Sequence, residues 1–87
     1  MDDKHFQEQA ARVVRVLLAQ RGLRQYQLVE LLQREGFPET LGGIKGKLNR
    51  GTFSFSWMLV CCKVLRVQNL PLDWLEWSES NSEEGER

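Results

Sequence analysis

Between Phe6 and Leu18 the apolar residues Phe6, Ala10, Val13, Val14, Leu17 and Leu18 recur at spacings of three and four, with Gln7, Glu8, Arg12 and Arg15 between them. That period predicts an amphipathic helix with one face on a core. Arg21-Gly22 supplies the stop, a cation in the last turn and a glycine just past it. A second helix is predicted from about Gln25 to Glu35, with Leu28, Val29, Leu31 and Leu32 inward and Gly36 as its end. Pro38 forces Phe37 away from helical angles, so Phe37-Pro38-Glu39-Thr40 is a connection. Leu41, Ile44 and Leu48 then mark the inner face of a third helix, over Thr40 to Arg50. Gly42, Gly43 and Gly46 each cost that helix roughly 1 kcal/mol relative to alanine, so packing must hold it.

Past Gly51, a C-cap that needs positive φ, Ser54 is a candidate N-cap between the apolar pair Phe53 and Met58 of a hydrophobic staple. The helix it starts runs to about Leu65, is apolar on every side and is expected to be the central, buried element, Trp57 included. Asn69 to Trp77, with Pro71 near its start, predicts a last helical turn. The pattern is all-α: a compact bundle of four to five short helices without strand-like alternation. Residues 1–77 are expected to form one domain, and 78–87 an acidic, disordered tail.

Length and charge narrow the class. A chain of 87 residues buries roughly 60 to 65% of its unfolded surface, which leaves little room for a deep active site. No run approaches the eighteen or so apolar residues of a membrane span. The acidic, polar start MDDKHFQEQ is unlike a secretory signal and points to the cytoplasm. Net charge is zero, yet residues 1–70 carry 11 Lys and Arg against 6 Asp and Glu, while residues 71–87 carry 1 against 6. A basic body suits a polyanion such as DNA. Cys61 and Cys62 are adjacent on a helix and point about 100° apart, without zinc-site spacing, and are expected to be buried, reduced thiols. His5, the single histidine, has no sequence neighbour that would give it a role.

The turn Lys47-Leu48-Asn49-Arg50-Gly51 sets cations beside the most apolar helix, and the surrounding segments carry a resemblance. From Ala11 to Leu65 the chain resembles the Cro/C1-type helix-turn-helix class in helix order and in the segments RGLRQYQLVELL, KLNRG and CCKVLRV. The stretch KGKLNRGTFSFSWMLVCCKVL, with its Lys-x-x-Arg-Gly-Thr-Phe-Ser portion, is similar to the signature of a domain-of-unknown-function family of short bacterial proteins related to that class. The resemblance implies a lambda-repressor-like bundle in which Gln25 to Glu35 is the positioning helix and Thr40 to Arg50 the candidate recognition helix. Its outward residues would be Gly42, Gly43, Lys45, Gly46, Lys47, Asn49 and Arg50, with Lys45, Lys47 and Arg50 all exposed.

Cations neutralise phosphates, asparagine makes paired bonds to adenine, and glycines admit backbone close to a duplex. Gln25 and Tyr26, opening the positioning helix, and Thr52, in the turn, are further candidate phosphate contacts. Arg12, Arg15, Arg21 and Arg24 are weaker candidates, most of them expected to be ordinary surface residues with apolar stems laid along the fold. The corner GFPET is longer than the three or four residues of the class and is expected to shift the third helix.

Catalysis is not expected. The chain has no nucleophile-base pair, no phosphate loop and no metal-ligand spacing, and neither a cofactor nor a small-molecule substrate is implied. Two roles remain. One is a small double-stranded-DNA-binding protein, a transcriptional regulator docking the third helix and the basic turn. The other is a protein-interaction module using that helix or the Trp74 and Trp77 end, which is also the candidate surface for a homodimer.

Overall fold

A computed structural model describes residues 3–70, 72, 73 and 75. It is an all-helical bundle of α1 (Asp3–Gln20), α2 (Gln25–Arg34), α3 (Leu41–Arg50) and α4 (Phe55–Leu65), with no strand among the described residues. The predicted last turn falls largely outside them. Of it the structure gives a bond from the Leu75 amide to the Leu72 carbonyl, with Leu70, Leu72 and Leu75 against the core.

Each helix ends by satisfying its own carbonyls. After α1, the Gly22 and Leu23 amides donate back to Ala19 and Leu18; after α2, Gly36 and Phe37 donate to Gln33 and Leu32; after α4, Arg66 and Val67 donate to Lys63 and Cys62. All three are paired C-terminal closures in which one residue turns left-handed and the next apolar residue folds back. Glycine fills that position at 22 and 36, while Arg66 takes it at φ 60° despite its side chain. Ser54 caps α4 as expected, its hydroxyl accepting from the Trp57 amide at 3.0 Å.

The core is one cluster, with Val14 and Leu17 of α1, Leu28 and Leu32 of α2, Ile44 and Leu48 of α3 and Cys61 of α4 fully buried. α3 packs on both α1 and α2, and α4 packs on α2. Gly51 joins α3 to α1: it sits at φ 66°, and a Cβ there would collide with the Gln7 carbonyl. Backbone meets backbone at that point, so glycine is required twice over.

Two expectations about faces are corrected. α4 buries Trp57, Met58, Cys61 and Leu65, but Phe55 is 71% and Leu59 54% exposed, so it is a flank rather than a surrounded centre. Four short helices have too few elements to enclose one of their own. Leu41, expected inward, is 39% exposed. As the first residue of α3 it lies at the edge of the packed face and lines a groove with Leu18, Leu23 and Tyr26 instead.

Candidate nucleic-acid interface

The corner between α2 and α3 spans residues 35–40, longer than a helix-turn-helix turn, as the sequence suggested. Gly36 reverses the chain at φ 89° and Phe37 folds half-buried onto the core. The Glu39 amide then donates to the Phe37 carbonyl at 2.8 Å, a γ-turn pattern centred on Pro38, whose fixed φ suits it. That tight turn drops the Glu39 side chain inward, where it is only 5% exposed. Thr40 follows and caps α3, its hydroxyl accepting from the Gly43 amide at 2.9 Å.

A buried carboxylate must be satisfied, and Glu39 is. Its Oε1 accepts from the Trp57 indole N–H at 2.8 Å. The Lys47 ammonium donates to both carboxylate oxygens at 3.3 Å and stands 5.5 Å from the centre of the Trp57 ring. The Thr40 amide is the third donor and makes the fourth bond, at 3.3 Å. Phe53 packs its ring against Trp57, with centroids 4.9 Å apart. Gly43 makes room: a Cβ there would lie 2.5 Å from Glu39 Oε2. Its missing side chain therefore serves the interior, whereas Gly42 and Gly46 face open space and the flexible end of Arg50.

This cluster divides the expected cation set. Lys45 and Arg50 are exposed, as is Asn49, but Lys47 is half-buried and turned toward Glu39, contrary to the expectation that all three are exposed. A lysine beside a buried carboxylate gains more from pairing there than from hydration outside, because an unpaired buried charge is costly. Arg50 Nε donates to Thr52 Oγ1 at 3.4 Å, which holds the turn's hydroxyl beside the end of α3.

Two grooves border α3. One, of about 450 Å³, brings Gln25 and Tyr26 at the start of α2 together with Lys45, Arg24 and Arg15. Tyr26 is 51% exposed there. Arginine has no acceptor, so Arg24 at the N-cap leaves α2 without a side-chain cap, and the Gln27 side chain instead accepts from the Arg24 amide at 2.8 Å. The other groove, of about 510 Å³, brings Asn49, Arg50 and Thr52 together with Lys4 and Arg15. Lys47 lines neither.

Other charged groups serve the fold. Arg21 Nε donates to the Leu65 carbonyl at 2.6 Å, closing the end of α4, and Lys63 pairs with Glu35. His5 sets its ring edge-on to Phe6 at 5.2 Å. Cys61 is buried and unbridged, and burial pushes its thiol from 9.0 up to about 12, with Cys62 and Glu39 adding and Lys47 opposing. Burial also raises Cys62, against Arg21. Both thiols therefore stay protonated at neutral pH, the opposite of a reactive pair. Among the described residues no group of His, Cys, Asp and Glu could hold a metal ion, and no helix is long and apolar enough to cross a membrane. Trp74 and Trp77, the candidate self-association pair, and the acidic tail lie outside the described residues.

Glu39 carried no mark in the sequence. The one signal available was its place just before a capping threonine and four residues before a glycine, which on its own specifies nothing.

Residues 6–70 match the model of a family described as Domain of unknown function (DUF6471), and the chain belongs to that family. No curated protein and no solved structure gives a significant match to the chain.

Proposed function

We propose that this member of the DUF6471 family is a small, non-catalytic DNA-binding protein, a transcriptional regulator of Cro/C1-type helix-turn-helix descent. It docks the outer side of α3 and the turn after it on duplex DNA. The observation that carries this is the groove between α2 and α3, whose described lining holds Arg15, Arg24 and Lys45 and no carboxylate. Cations concentrated beside an exposed helix fit a phosphate backbone, since neutralised phosphates release counterions. Gln25 and Tyr26 open a helix without a side-chain cap onto the same groove, a further fit to an anionic partner.

In this role Lys45 and Arg50 contact phosphates, Asn49 faces bases, and Thr52 supports the turn. Lys47 acts from inside, by fixing α3 on Glu39. With Gly42 and Gly46 contributing no side chains on the outer side of α3, few side chains read bases, so discrimination relies on the shape of the duplex.

A second reading is a protein-docking module, favoured by one observation. Exposed Phe55 and Leu59 stand on α4, and Phe55 borders an apolar recess of about 230 Å³ lined also by Ala10, Val13, Phe53, Met58 and Leu70.

Salt separates the two. Fluorescence anisotropy of a labelled random-sequence duplex should give micromolar or tighter binding that weakens steeply with salt, with a log-log slope of roughly −0.9 per phosphate neutralised. Absence of binding at low salt would reject the DNA role and turn attention to the α4 face.

A further inference from the structure

We infer that α1 supplies a second wall of the nucleic-acid surface, and that the groove between the start of α1 and the end of α3 receives duplex phosphates, with Arg15 as their central ligand. This rests on the DNA-binding role proposed above and extends it to a helix outside the usual pair.

Arg15 is the residue common to both grooves. On one side it meets Arg24 and Lys45; on the other, Lys4 and Arg50. The two grooves thus join into one basic strip along α1 and α3, on which Glu8 is the single carboxylate of the described lining. The ion pairs of Lys47 with Glu39 and of Lys63 with Glu35 lie elsewhere, and among the described residues Arg15, Arg24, Lys45 and Arg50 pair with no carboxylate.

The second groove also has the chemistry of backbone recognition. Gln7, Asn49 and Thr52 put amide and hydroxyl groups between its cations, the mixture that typically contacts phosphate and sugar oxygens. Arg15 points toward it: one Nη donates to the Leu48 carbonyl at 3.4 Å, a long bond that leaves most of its five donors for a ligand. The walls are preset, because Gly51 holds the end of α3 against the Gln7 backbone. Binding there would order few new groups. Lys4 and Arg15 stand eleven residues apart on α1, about 16 Å along the helix. That length adds a second track of contacts to those of the ten-residue α3.

The test compares salt slopes by anisotropy on one duplex for the parent, Arg15→Ala, Arg15→Lys, Lys45→Ala/Arg50→Ala, and Arg34→Ala as a cation lining neither groove. Arg15→Ala should bind several-fold more weakly, with a slope shallower by about 0.9. Arg15→Lys should restore the slope, and Arg34→Ala should match the parent. Thermal melts of each variant separate lost binding from lost folding; if Arg15→Ala does not fold, Arg15→Gln takes its place. If Arg15→Ala (or Arg15→Gln in its place) keeps the parent's affinity and slope while Lys45→Ala/Arg50→Ala weakens binding, α1 is not part of the surface. If the parent binds no duplex at low salt, the DNA role falls and this inference with it.

Discussion

Lys45 and Lys47 stand two residues apart on α3 and belong to different regions of the molecule. Lys45 is exposed at a groove shared with Arg15 and Arg24, whereas Lys47 reaches in to a carboxylate that is itself buried. The outer side of α3 presents cations that pair with no carboxylate among the described residues. Its inner side spends a cation on Glu39, which with Trp57 pins the long corner. A run of basic residues on one helix is therefore two things at once, a surface for a partner and an internal brace, and the brace allows a six-residue corner to position the surface.

That division can be broken experimentally, beginning where the largest effect is expected. Gly51→Ala should cost roughly 3 kcal/mol or more, because it imposes positive φ on alanine and a clash with α1 backbone at once. Chemical denaturation would show it, and a loss below about 1 kcal/mol would mean that α1 and α3 are not rigidly joined. Glu39→Ala should cost about 2 to 4 kcal/mol, reduced toward the lower end because Lys47 retains some solvent. Near-neutral stability of that variant in the same titration would remove the brace.

Alkaline stability gives a finer probe of the interior. An unfolded thiol ionises near 9.0, while folded Cys61 holds its proton to about 12. Its contribution is thus fully present below pH 9 and lost as pH rises toward 12, by at most about 1.4 kcal/mol per pH unit. Cys61→Ala should flatten the fall in melting temperature between pH 9 and 10.5 relative to the parent, and an unchanged pH profile would contradict the burial of that thiol. The smallest effect belongs to the outside: Lys45→Ala/Arg50→Ala should change stability by less than about 0.5 kcal/mol. A loss near that of Glu39→Ala would erase the distinction between the two sides of α3.

Helix positions were legible because caps and stops act locally. Ser54, Gly22, Gly36 and Gly51 each decide their helix end through bonds within a few residues, and the apolar period already marked Ile44 and Leu48 as inward. Direction at the margins was not legible. Leu41 shares their spacing, yet as the first residue of α3 it borders a groove, and Phe55 and Leu59 are as apolar as their neighbours but stand on the exposed side of α4. Lys47 depends on Glu39, eight residues away, and on Trp57, eighteen from Glu39. No local pattern encodes that meeting. Of the candidate interface, the exposure of Lys45, Asn49 and Arg50 was anticipated. The place of Arg15 between two grooves was not, since it needs the packing of α1 on α3 to exist.

The measurement that bears most directly on the central claim is the salt dependence of duplex binding by Lys45→Ala/Arg50→Ala beside that by Lys47→Met. If DNA lies on the outer side of α3, the double variant should lose affinity and have a slope shallower by about 1.8, two phosphates at 0.9 each, while folded Lys47→Met keeps the parent's slope. A double variant that binds as the parent does, or a Lys47→Met slope reduced as much as the double variant's, would contradict the claim.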